Sequence, residues 1–339
     1  MATGKVAVVT GGSAGVGRAT AELLARRGYD VAVMARGGAG LAGAVEDVER
    51  QGRRALGLDV DVSDEKAVRA AAERCEIELG EIDAWVNDAF VGTLAFSWDT
   101  SMEEYHRVMD VTFFGQVHGT LAALSLMRPR NRGVIVNVGS AMAFRSIPLQ
   151  APYCAAKHAV KGFSESVMTE LAHEKSKVRV CMVQLPGLNT PQFDWNLSKM
   201  PEHPMPVPPI YQPEVAARGI VHLVEHPRRN LWVGLPTAMT ILGERVAPKL
   251  LDLYLGRSGV KSQQSGKGAP RRGPNLWEPQ DEAADAGARG PFSQRAHQHD
   301  PVLWAALHRR GVIGGLVAAG AATTALALSG ARGNGHSPG

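Results

Sequence analysis

Apolar side chains fall into short unbroken runs along the chain, and the stretches between them carry apolar residues at helical spacing. The first run is Val6-Ala7-Val8-Val9, set between Gly4 and Gly11. Four apolar residues in a row, bounded by glycines, suit a strand buried on both faces. Residues 17–28 then read as a helix closing on Gly28, a residue suited to the left-handed backbone just past a helix end. The cycle recurs as strand 31–34, helix 41–51, strand 54–60, helix 64–79 and strand 82–87. It continues through a long helix at 101–127, strand 134–138, helix 151–174 and strand 178–185. Such alternation predicts an α/β fold, with a parallel sheet, right-handed crossovers and helices on both faces.

The period breaks after Pro186. Residues 186–213 hold many prolines and no sustained pattern, which suits a loop or lid over a site. A helix at 213–226, a strand at 231–234 and a helix at 237–253 complete a body that ends near residue 256. Residues 257–310 are rich in Gly, Pro, Gln, Arg and Ala, and their composition predicts a flexible linker with a short helix near 302–310. Residues 311–331 then carry no charge. As a helix they would reach about 31 Å, close to the thickness of a bilayer core. That makes them a candidate transmembrane or apolar helix, although their many alanines and glycines keep insertion marginal. With His308-Arg309-Arg310 just before the run, the body would stay on the cytoplasmic side of such a membrane.

Charge sharpens this division. The 339 residues carry 37 Lys and Arg against 33 Asp and Glu, a net +4. Residues 257–339 hold ten basic and five acidic side chains, so the first 256 residues are close to neutral. A near-neutral body argues against nucleic acid as a partner. Three widely separated cysteines, Cys75, Cys154 and Cys181, suggest neither a disulfide framework nor a zinc knuckle. The N-terminus shows no signal-peptide pattern, and a cytoplasmic body is the expectation. His222-Leu-Val-Glu225-His226 matches a zinc-peptidase pattern, but no third ligand is signalled and no metal is expected.

The first strand-to-helix turn reads Thr10-Gly11-Gly12-Ser13-Ala14-Gly15-Val16-Gly17. Glycines there let the backbone turn tightly and approach a pyrophosphate, which the helix N-terminus stabilises. The second strand ends Met34-Ala35-Arg36, without the carboxylate that would accept from the ribose 2′-hydroxyl of NAD. Arg36 can pair with a 2′-phosphate instead, which favours NADP(H) over NAD(H). Asp61-Val62 ends the third strand and is placed either to contact an adenine or, through Asp61, to cap the next helix. Ser140 ends the fifth strand, at the carboxyl edge where open α/β sheets bind ligands. Tyr153 and Lys157 lie four residues apart on one helix face.

Residues 10–17, Ser140, Tyr153-x-x-x-Lys157 and Pro186-Gly187, in that order, resemble the short-chain dehydrogenase/reductase family over about residues 4–255. The resemblance implies a Rossmann-type, doubly wound, seven-stranded sheet. It also implies hydride transfer between a nicotinamide and a carbonyl or alcohol, in a dimer or larger homo-oligomer. Tyr153 would serve as general acid or base, and a nearby Lys157 ammonium would draw its phenol pKa down. Ser140 would orient the reacting oxygen. Gly11, Ser13, Gly15, Val16, Gly17, Arg36, Asp61, Val62, Asn87, Ala89, Lys157, Pro186, Gly187 and Thr190 would border the cofactor.

Two positions depart from the family. Asn87-Asp88-Ala89-Phe90 stands where Asn-Asn-Ala-Gly is usual, keeping Asn87 and Ala89 but changing the loop's charge and shape. Thr112 takes the place of an asparagine that anchors a proton-relay water to the lysine. Phe193, Trp195, Met200 and Met205 in the lid, with Phe90 and Phe144, suggest an apolar substrate. An epimerase or dehydratase using hydride transfer transiently, or a catalytically idle NADP-binding scaffold, are the alternatives.

Overall fold

Val6, Ala7, Val8 and Val9 are all buried because strand β1 (Lys5–Thr10) runs inside the sheet, between two neighbours and beneath helices on both faces. The computed structural model describes residues 4–268 and 273–309. Six further strands join β1: β2 (Tyr29–Ala35), β3 (Ala55–Asp59), β4 (Ile82–Asn87), β5 (Val134–Ser140), β6 (Arg179–Leu185) and β7 (Asn230–Trp232). Their order is β7-β6-β5-β4-β1-β2-β3, with every pairing parallel. The order reverses between β1 and β4, and a doubly wound sheet opens its ligand crevice at such a point. Register brings Thr10 beside Asn87, Asn87 beside Asn137, and Ser140 beside Leu185. The carboxyl ends of the central strands therefore form one shelf.

The helices are α1 (Gly15–Arg26), α2 (Gly38–Arg50), α3 (Glu65–Glu78), α4 (Met102–Met109), α5 (Gly115–Met127), α6 (Ala151–His173), α7 (Gln192–Trp195), α8 (Pro213–Glu225), α9 (Leu235–Val246) and α10 (Pro248–Ser258). Helix α1 packs on α2 and α8, while α5 packs on α3 and α6. The second group covers a core in which Trp85, Ile82, Ile135 and Met127 are fully buried.

Two expected single helices are interrupted. Between α4 and α5 the chain widens into a π-helical turn, Asp110–Phe114, where Thr112 reaches the loop after β4. Between α9 and α10, Pro248 lacks an amide donor, and Ala247 before it leaves helical geometry (φ −143°, ψ 58°).

Residues 257–268 and 273–300 are not the free linker expected from composition. The compact unit runs from Met1 to Asp300, and the segment belongs to it. Gln264–Gly268 pairs antiparallel with Glu202–Pro204, and Ala296–His297 pairs with Ile210–Tyr211, so the tail partners two of the lid's short strands. Leu276 is completely buried in the main core cluster. Composition misled because one well-placed leucine, the Asp285–Arg18 ion pair and the Glu282 carboxylate on the Gly38 amide are enough to seat a polar segment. The second unit, Pro301–Gly339, contributes the short helix Pro301–Leu307 among the described residues. The candidate span at 311–331 lies outside the described residues, and within them no helix is long and apolar enough to cross a membrane.

Candidate active site

The turn from β1 into α1 is built around backbone contact that admits only glycine. Gly11 has φ +69°, and a Cβ there would come within 2.7 Å of the Ala89 Cα. A Cβ on Gly17 would fall 2.3 Å from the Gly11 carbonyl oxygen. The Thr10 hydroxyl fastens this turn to the next loop by accepting from the Asp88 and Ala89 amides, at 3.1 and 3.3 Å. Helix α1 starts at this turn with no side-chain cap from Ala14. A glycine cradle leading into a helix start suits a pyrophosphate, and here the first amide of that helix, Gly15, donates to the Gly287 carbonyl of the tail at 3.1 Å.

One continuous cavity begins here. Its wall includes Gly11, Ser13, Gly15 and Val16 from the turn, Arg36 after β2, and Asp61 and Val62 after β3. It continues past Ala89 and Phe90 to Ser140, Tyr153 and Lys157, and is closed by Pro186, Gly187 and Thr190. Three expected site residues stand outside that wall. Gly17 is held inside the turn. The Asn87 amide is buried in a core network, accepting from Trp85 Nε1 at 2.7 Å and donating to Asn137 at 2.8 Å. The Thr112 hydroxyl is spent on Val91, accepting from its amide at 3.0 Å and donating to its carbonyl at 2.8 Å.

At the far end the Ser140 hydroxyl stands beside the Tyr153 phenol and favours its charged form. Lys157, 2% exposed, donates to the Val138 carbonyl at 2.8 Å. Its ammonium lies 5.6 Å from the centre of the Tyr153 ring and 5.7 Å from that of Phe90.

The short chain dehydrogenase family model covers residues 5–200. The chain belongs to the short-chain dehydrogenase family. An uncharacterized oxidoreductase of Bacillus subtilis (strain 168), YxnA, is 33% identical over 266 residues, spanning 77% of this chain and 74% of the relative. Carbonyl reductase family member 4 of Xenopus laevis is 32% identical over 224 residues, spanning 66% of this chain and 92% of the relative. Among solved structures, a short-chain dehydrogenase/reductase of Burkholderia phymatum in complex with NAD superposes with a TM-score of 0.64, at 24% identity, over 74% of this chain and 95% of the other. An alcohol dehydrogenase of Thermococcus sibiricus complexed with 5-hydroxy-NADP gives 0.57, at 24% identity, over 68% and 95%. These two likenesses show the Rossmann-like fold.

The electrostatics of this short-chain dehydrogenase depart from the expectation for Tyr153. Burial, with the nearby Asp88 carboxylate, pushes the phenol above its ordinary range, and the Ser140 hydroxyl offsets this only in part. Burial pushes the Lys157 ammonium down to about 8, opposed by Asp88. Asp88, 6% exposed, is pushed up to about 7 by burial, opposed by Lys157 and by the Gly17 amide that donates to it. Asp88 therefore joins the start of α1 to Lys157, a connection its mismatch with the family pattern did not reveal.

Asp61 serves the local structure through both oxygens. One accepts from the Ser63 amide and hydroxyl, and the other from Arg107 at 2.5 Å. Asp64, not Asp61, caps α3, accepting from the Lys66 and Ala67 amides. Of the residues suggested for an apolar pocket, Phe90, Phe193 and Trp195 line the cavity, whereas Phe144, Met200 and Met205 stand outside it.

Sequence reasoning missed the tail altogether. Asn275, Pro279, Gln280 and Asp281 line the same cavity near Arg36. The Arg36 guanidinium donates to the Trp277 carbonyl at 2.7 Å and to the Asn275 carbonyl at 2.8 Å. The available signal was a cluster of four of the tail's five acidic residues, Glu278, Asp281, Glu282 and Asp285, in a segment whose net charge is positive.

Proposed function

We propose that this short-chain dehydrogenase interconverts a carbonyl and a secondary alcohol, using a nicotinamide dinucleotide and Tyr153 as the proton carrier. The observation that carries the reading is the placing of Ser140, Tyr153 and Lys157 together at the end of a cavity that starts at the glycine turn. When bound, the nicotinamide supplies or accepts the hydride. Ser140 and Tyr153 point two hydroxyls at one place, so both can donate to a carbonyl oxygen as negative charge develops on it. The chain's own groups keep the Tyr153 phenol protonated, which is the form that gives a proton in reduction. Lys157 holds its ammonium beside the ring while bonded to Val138, and its remaining protons are available to a ribose hydroxyl. Phe90, Phe193 and Trp195 give the substrate end an apolar wall, which supports an apolar ketone or alcohol.

NADP(H), expected from Arg36 alone, has less support once that guanidinium is bonded to the Asn275 and Trp277 carbonyls. A membrane anchor at residues 311–331 rests only on the length of the uncharged run, and a homo-oligomer only on the family resemblance. Fractionation of the full chain beside one ending at residue 310 tests the anchor.

The direct test of the reaction is a screen of reduced-dinucleotide oxidation over ketones and aldehydes of graded size, with Tyr153→Phe alongside. Loss of the general acid should lower kcat by about 10²–10⁴-fold. Dinucleotide binding should persist in the variant. An unchanged rate in Tyr153→Phe would overturn the reading.

A further inference from the structure

The acidic stretch of the tail is seated on the start of α2, at the carboxyl end of β2 where the sheet meets an adenosine ribose. Helix α2 begins after Gly37, which offers no capping side chain. The tail supplies the cap from more than 240 positions away. The Gly38 amide donates to the Glu282 carboxylate at 2.8 Å, the Ala39 amide to the Glu282 carbonyl at 3.1 Å, and the Gly40 amide to the Asp281 carbonyl at 2.9 Å. The helix end that would otherwise stabilise an added anion is therefore already satisfied.

Asp281 is 5% exposed, and its carboxylate fits against two glycines. A Cβ at Gly37 or Gly40 would fall 2.2 or 2.1 Å from a carboxylate oxygen. The Ser13 hydroxyl, on the glycine turn itself, stands beside that carboxylate and favours its charged form. Asp281 and Ser13 line the cavity together with Ala35 and Arg36, so the tail forms a wall of this end.

We propose that Asp281 is the cofactor-selecting residue of this enzyme: the C-terminal strap supplies the ribose-facing carboxylate that β2 lacks, so the full chain prefers NAD(H) and excludes NADP(H). This rests on the oxidoreductase reading above. A 2′-hydroxyl can donate to a carboxylate in this corner. A 2′-phosphate would bring its negative charge against Asp281 and Glu282, and like charges in a buried corner repel. The Arg36 guanidinium and the first amides of α2, the two groups that would favour that phosphate, are both bonded to the strap.

The test is equilibrium binding of NADH and NADPH to the full chain, to Asp281→Asn and to Arg36→Gln, followed by dinucleotide fluorescence. The wild type should bind NADH at least about 10-fold more tightly than NADPH, and Asp281→Asn should shift that ratio toward NADPH by a similar factor. Arg36→Gln should not weaken NADPH selectively, because its side chain holds the strap and not a phosphate. A wild-type preference for NADPH, or a ratio unmoved by Asp281→Asn, would overturn the proposal while leaving the oxidoreductase reading intact. A selective loss of NADPH in Arg36→Gln would overturn it in the same way, and remains readable if Asp281→Asn fails to fold. Binding of neither dinucleotide to the wild type would overturn both readings together.

Discussion

Arg18 grips Asp285 through both terminal guanidinium nitrogens, each 3.1 Å from a carboxylate oxygen, across 267 positions of chain. The same guanidinium donates to Asp47 at 2.6 Å and to the Ser13 and Gly40 carbonyls at 3.0 and 3.1 Å. One arginine on the first turn of α1 thus ties together the glycine turn, α2 and the tail. Arg18 is 4% exposed, whereas the Asp285 side chain stays 39% exposed.

That asymmetry separates two substitutions. Asp285→Ala should cost about 1 kcal/mol of global stability, because the lost partner is partly hydrated and Arg18 keeps its other acceptors. Its larger effect should be local, as faster amide exchange over residues 275–290 measured by mass spectrometry. Arg18→Ala should cost more, about 2–4 kcal/mol by urea unfolding, since it removes the donor from two buried carbonyls and from Asp47. Unchanged exchange in Asp285→Ala would show that the strap is held elsewhere.

Thr112 calls for a different expectation from the one its family position suggests. Its hydroxyl both accepts from and donates to Val91, and the residue is completely buried in the π-helical turn. Thr112→Val keeps the shape and leaves a buried amide and carbonyl without that partner. The cost should be about 1–3 kcal/mol in urea unfolding. Turnover should fall less than the 10²-fold or more expected on losing a proton-transfer group. A rate loss on that larger scale, with stability unchanged, would place Thr112 in the proton path after all.

The strands were readable because each is buried on both faces, so Val6 to Val9 and Val31 to Met34 stand out as unbroken apolar runs. Ser140, Tyr153 and Lys157 were readable because strand end and helical spacing place them on one shelf. The strap was not, for a physical reason. Its seat depends on pairing single residues with distant partners: Leu276 with the core, Glu282 with the Gly38 amide, Asp285 with Arg18. Composition averages over a segment and loses such pairings. The π-helical turn was hidden for a related reason, since one extra residue in the turn leaves the apolar spacing of 101–127 nearly intact.

Asp88 and Lys157 form a buried pair whose titration can be read in both stability and rate. The folded chain raises the Asp88 pKa to about 7, above its value in the unfolded chain. The folded state therefore holds that proton more tightly. The resulting contribution to stability is complete below the unfolded value of about 4 and is lost as pH rises through about 7. Lys157 has the opposite sign: its folded pKa is lowered to about 8, so stability rises as pH climbs from there toward the ordinary lysine value. Asp88→Asn removes the first effect, so the stability of the wild type relative to the variant should decline between pH 4 and pH 7, measured by urea unfolding at several pH values. The substitution also removes the carboxylate that supports the Lys157 charge. Lys157 should then lose its proton at lower pH, moving the alkaline limb of the kcat/KM profile down by about one pH unit. A limb that stays in place would mean that the Lys157 charge does not depend on Asp88 during turnover.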